Sequence, residues 1–163
     1  MRKKFVAIVG YGQSGKSTII QSLTGCENRG FFGIVEDTSV NLSMYVHAKS
    51  PQENPATDEK TFIDILQDVL DGKRIQGLAI AIQPTSPRQR LSMDRMFVLA
   101  KKAGFESYAF ILDPPRGGRS TDFEGVRDRV LAGDPMAQVF KLDARRFAVL
   151  NSEAIRVLAR LPY

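Results

Sequence analysis

Residues 10–18 read GYGQSGKST, and the stretch before them, residues 4–9, reads KFVAIV. An apolar run of that length with β-branched residues reads as a buried strand, and Ser17 to Leu23 continues as a helix. Between them stands a Gly, four free positions and then Gly-Lys-Ser, which in a strand–turn–helix frame is the phosphate-binding pattern. Gly10, Gly12 and Gly15 let the backbone take turns that a Cβ obstructs. The N–H groups around Gln13, Ser14, Gly15 and Thr18 then converge on an anion at the positive end of a helix. Lys16 is one of two candidate catalytic residues, with Thr38 below, a mobile charge for β- and γ-phosphates, and Ser17 offers an oxygen to Mg²⁺. The competing reading, a glycine-rich turn that matches by chance, is opposed by the strand and helix on either side.

The rest of the chain is consistent with one domain spanning residues 1–163. At 163 residues and 43% hydrophobic content it can bury one good core and is short for two. No apolar run reaches the length of a membrane span, and MRKKF leads directly into the first strand, so the expected location is cytoplasmic. The single cysteine, Cys26, has no internal disulfide partner, and the single histidine, His47, leaves no cluster for structural zinc. Cys26 reads as a small residue past the first helix and His47 as a strand-end or surface residue. A net charge of +5 raises nucleic acid as a minor reading. Its basic residues are scattered, however, and a phosphate-rich ligand with a solvated surface accounts for them.

Periodicity organises the remainder. Residues 28–33 read as a loop, followed by β-rich Ile34-Val35 and by Val40 to Val46, whose alternation predicts a strand covered on one face at the sheet edge. Residues 50–57 are a loop. Thr57 or Asp58 caps a helix with Phe62, Ile65, Leu66, Val69 and Leu70 on one face and Gly72 as its stop. Leu78 to Ile82 is a central parallel strand, and Ser86-Pro87 reads as the start of a helix running to Gly104. Tyr108 to Leu112, Thr121 to Leu131, Val139 to Leu142 and Asn151 to Leu161 then alternate strand, helix, strand, helix. This alternation predicts an α/β fold, an open and mainly parallel sheet with helices on both faces and the ligand at the carboxyl ends of the strands.

Residues 9–25, VGYGQSGKSTIIQSLTG, resemble the start of Ras-like and translation-factor-class small GTPases, in which the phosphate loop leads into a helix ending Leu-Thr-Gly. The order of elements is similar over nearly the whole chain, which implies a Ras-like three-layer P-loop NTPase. The resemblance places Thr38, or else Ser39, where switch I carries the threonine that closes over Mg²⁺; a polar turn between two strands is the equal alternative. Later motifs depart from the family. Where Asp-x-x-Gly should follow the second hairpin strand stands His47-Ala48-Lys49-Ser50, and the Asp122–Gly125 match falls too late. In place of the guanine-reading Asn-Lys-x-Asp the chain has Asp113-Pro114-Pro115-Arg116, which leaves Asp113 as the base-side candidate and guanine preference in doubt. Ala144 and Arg145 echo the family's last motif. Asp113 and, more weakly, Asp37 have the strand-then-Asp form of a Walker B residue, which must lie beside the phosphate-loop strand.

The function expected from this resemblance is a Mg²⁺-dependent nucleoside-triphosphate-binding regulator, ATP or GTP its ligand, hydrolysing slowly or not at all and acting on a protein partner. Residues 28–39 are its expected switch, and Gln13 and Gln83 the candidates for orienting water. The alternative is a small-molecule or nucleotide kinase with Asp37 as base and residues 116–119 as a glycine-hinged lid. Arg88, Arg90, Arg116, Arg119, Arg145 and Arg146 follow strand ends, where an arginine can neutralise transition-state charge. A MinD-like or ParA-like ATPase is a third reading, opposed by the absence of that group's extra loop lysine.

Overall fold

In a computed structural model that describes residues 1–53, 57–87 and 90–162, strands and helices alternate along the chain. The elements are β1 (Lys4–Val9), α1 (Lys16–Thr24), β2 (Phe32–Asp37), β3 (Leu42–His47), α2 (Glu59–Asp71), β4 (Gly77–Ile82), α3 (Met93–Lys102), β5 (Glu106–Leu112), α4 (Phe123–Gly133), β6 (Gln138–Leu142) and α5 (Ala148–Leu158). The six strands form one sheet in the order β2-β3-β4-β1-β5-β6, parallel throughout except for β2, which runs antiparallel to β3. Val9 therefore lies between Ile82 and Ile111, and the loop after β1 emerges at the centre of the carboxyl edge. Close approach at the opposite edge requires Gly77, where a Cβ would lie 2.1 Å from the Lys4 carbonyl oxygen.

Helices cover both faces, as the alternation predicts. On one face Phe62, Met96, Phe97, Val126 and Val130 of α2, α3 and α4 pack on Phe5, Ala7 and Val9. Phe5 meets the edges of Phe62 and Phe97 at centroid distances of 6.2 and 5.2 Å. On the other, Ile19, Ile20 and Leu23 of α1 and Ile155 of α5 pack on Val6 and Ile8. Asp58 caps α2 by accepting from the Thr61 N–H. Among the described residues no helix is long and apolar enough to cross a membrane.

Four expectations are corrected. β3 is buried along its whole length, because β2 pairs outside it and is itself the edge. His47 ends β3, the first of its two readings, and is buried at 1% exposure rather than on the surface; its Nε2 meets Thr57 Oγ1 at 3.2 Å, and burial pushes its pKa down. α3 starts at Met93, capped by Ser92 and not by Ser86. Buried Leu91 and Met96, one before the cap and one in the next turn, belong to the same core cluster, the pairing of a hydrophobic staple. α5 begins three residues earlier than Asn151, at Ala148, and ends at Leu158. Asp122 proves to be the cap of α4, its carboxylate accepting from the Gly125 N–H, which explains that stray Asp-x-x-Gly. Arg88 lies outside the described residues.

Candidate phosphate-binding site

The loop after β1 is held by short-range geometry. Gly10 donates its N–H to the Ile82 carbonyl at 3.0 Å, and a Cβ on it would lie 2.5 Å from Ser14 Oγ. Gly15 has φ +104, a left-handed conformation natural to glycine, and Gln13 carries φ 64 despite its side chain. At Gly12 the space for a Cβ is open, so local packing does not demand that glycine. The first helical bond of α1 is Ile19 N–H to Gly15 O at 3.1 Å. Among the described residues the N–H groups of Gly15, Lys16, Ser17 and Thr18 have no protein acceptor. Four such donors at the positive end of a helix suit an anion.

These groups open onto a cleft of about 560 Å³ whose lining includes Gln13, Lys16, Ser17, Arg29, Glu53 and Arg116. Lys16 is 5% exposed and donates from Nζ to the Tyr11 carbonyl at 2.6 Å. Burial lowers its pKa to about 8, with Glu53 pulling weakly the other way. Ser17 Oγ donates to the Ala48 carbonyl at 2.9 Å. Its proton is thus spent, and what the hydroxyl has left to offer is lone pairs, which suit a cation.

The segment after β5 forms a wall of the cleft and is bolted to the loop. Arg116 donates its N–H to Ser14 O at 3.0 Å, Arg119 lies 4.4 Å from the Tyr11 ring centroid, and a Cβ on Gly118 would stand 2.3 Å from Gly12 O. Residues 116–119 thus lie against the loop in this structure, and the missing side chain of Gly118 permits that backbone contact. Ala144 packs beside Gly15, 3.8 Å from the position of a Cβ there. Asp113 and Arg145 turn elsewhere, Asp113 to Lys141 at 3.4 Å and Arg145 to Asp143 at 2.9 Å. Asp113 does end a strand adjacent to β1, while Asp37 does not.

Thr38 is not brought to Ser17. Asp37 pairs with Leu42, two positions beyond the Met44–Gly77 pair, whereas Ile82, beside Val9, lies five positions the other way. At about 3.3 Å per residue the two ends are roughly 23 Å apart. The antiparallel run of β2 carries Asp37, Thr38 and Ser39 to the amino edge of the parallel strands, which removes Thr38 as a metal ligand or catalytic partner of Ser17 and Asp37 as a base. Asp37 and Thr38 border a separate hollow of about 460 Å³ with Arg74 and Gln76. Asp37 there is committed to its own turn, accepting from the Ser39 N–H at 3.0 Å.

Arg29 and Glu53 are cleft residues that the sequence reading missed. Both sit in loops, and the available signal was that residues 48–53 follow a strand at its carboxyl end, the ligand side of such a sheet. No family model, curated protein or solved structure matches the chain.

Proposed function

We propose that the chain is a P-loop protein that binds a nucleoside triphosphate with Mg²⁺ and acts as a slow, GTPase-like NTPase or switch toward a protein partner. The observation that carries this reading is the set of four unpaired N–H groups facing one cleft together with Lys16, Arg29 and Arg116. Three cations and a helix terminus against one carboxylate suit a ligand with several negative charges. Mg²⁺ fits the donor set, because Ser17 Oγ has only lone pairs free and bound Mg²⁺ would neutralise phosphate charge. In this reading the free amides orient the terminal phosphates, Lys16 leaves Tyr11 O to bind them, and Arg29 and Arg116 offset charge at their sides. Slow turnover is expected: Gln83 is engaged with Glu53, which leaves Gln13 as the remaining glutamine at the cleft. Asp113-Pro114-Pro115-Arg116 stands in place of the guanine-reading motif and Asp113 pairs with Lys141 at 3.4 Å, so discrimination between GTP and ATP is expected to stay below about a hundredfold, or 2.7 kcal/mol.

The test is thermal unfolding with ATP, GTP, ADP or GDP in MgCl₂. A ligand at about a hundredfold its Kd adds about 2.7 kcal/mol, a shift of roughly 5–10 °C for a domain of this size. Absence of a shift with all four nucleotides refutes the reading.

A further inference from the structure

We infer that Glu53, held by Gln83, is the carboxylate through which this chain makes phosphate binding depend on a divalent cation. The inference rests on the nucleotide reading above and names a residue for it. β4 lies beside β1, and the residue that follows it toward the cleft is Gln83, a neutral amide. That amide does not face the ligand unaided: Gln83 Nε2 donates to Glu53 Oε1 at 2.8 Å. Glu53 is the one carboxylate among the described residues that line the cleft.

A buried network fixes the turn that carries it. The Glu53 N–H donates to Ser50 O at 2.9 Å, and Ser50 Oγ donates to Gln52 Oε1. Gln52 Nε2 donates to Gln83 O at 3.0 Å, while Gln52 Oε1 accepts from the Gln83 N–H at 3.3 Å. Ser50 and Gln52 are 0% and 6% exposed, so two polar side chains are buried and satisfied to hold an exposed carboxylate against the end of β4. One of its oxygens accepts from Gln83, and the other has no hydrogen-bond partner among the described residues. A carboxylate facing a phosphate site repels the ligand unless a cation stands between them. Ser17, whose free lone pairs border the same cleft, is the second oxygen donor for that cation. Gln83 is then a positioning residue, acting only through Glu53.

Charge logic gives the test opposite signs in two conditions. The wild type, Glu53→Gln and Gln83→Leu are titrated with fluorescent ATP and GTP analogues in MgCl₂ and in EDTA, and Mn²⁺ bound to each complex is counted by electron paramagnetic resonance. In the wild type the metal should strengthen binding by about tenfold or more, and Glu53→Gln should reduce that ratio to about twofold while binding in EDTA is unchanged or tighter. Gln83→Leu should fall between them, with its fold checked by circular dichroism. An unchanged ratio in Glu53→Gln, or equal weakening with and without metal, overturns the assignment. Wild-type binding with no metal dependence overturns it alone, whereas no nucleotide binding at all removes the functional reading with it.

Discussion

Replacing Lys16 by Met should abolish nucleotide binding and, near neutral pH, stabilise the ligand-free protein. The ammonium is buried at 5% exposure, and its pKa falls from 10.5 to about 8. A lysine whose pKa is lower in the folded state binds fewer protons there than when unfolded, so it opposes folding below its folded pKa. That opposition is relieved as pH climbs from 8 toward 10.5. The fall from 10.5 to about 8 corresponds to roughly 3 kcal/mol at pH 7 and leaves about 1 kcal/mol at pH 9.5. Loss of the bond to Tyr11 offsets part of the gain, but its dependence on protonation is already contained in the folded-state pKa, so the change between the two pH values is unaffected. The measurable quantity is therefore the difference between variant and wild type in urea denaturation, which should move by about 2 kcal/mol in favour of the wild type from pH 7 to 9.5. A difference that is flat within about 0.5 kcal/mol would refute the buried-ammonium argument. If Lys16 binds nucleotide as proposed, wild-type affinity measured by titration with a fluorescent nucleotide should decline as pH rises above about 8.

Gly118→Ala should destabilise the protein by about 1–3 kcal/mol and weaken nucleotide binding, since the new Cβ meets Gly12 O at a φ of +74; a variant as stable as wild type in urea would show that the 116–119 segment is not bolted to the loop. Hydrogen exchange with a non-hydrolysable triphosphate and Mg²⁺ should protect residues 11–18, 28–31 and 48–53 and leave 37–41 unchanged. Protection confined to 37–41 would restore the switch to Thr38 and contradict the placement of β2.

How much was legible follows from where the information lies. KFVAIV and the continuous apolar runs of β4 and β5 were readable because strands buried on both faces repeat hydrophobicity without interruption. The turns at Gly10 and Gly15, the Asp58 cap and the stop at Gly72 are local, and local chemistry is written in neighbouring residues. Thr38 was misplaced because its position depends on strand order and on the direction of β2, both set by pairings far apart in sequence. The Ser86-Pro87 pattern drew the helix start too early; the cap is Ser92, flanked by buried Leu91 and Met96, whose packing is not visible in sequence. Glu53 and Arg29 carry no motif, and only the fold of their loops brings them to Lys16.

The interposition of β4 between β1 and β3 has a practical side. The turn at residues 38–41, with Thr38, Ser39 and Asn41 exposed, lies at the sheet end remote from the loop after β1 and joins the one antiparallel pair among the described residues. Such a tip accepts added residues or a reporter group at little cost to the core. Cys26, the sole thiol, is buried at 3% exposure, so a cysteine placed at Thr38 can be labelled selectively and the dye will sit away from the cleft whose occupancy it is meant to report.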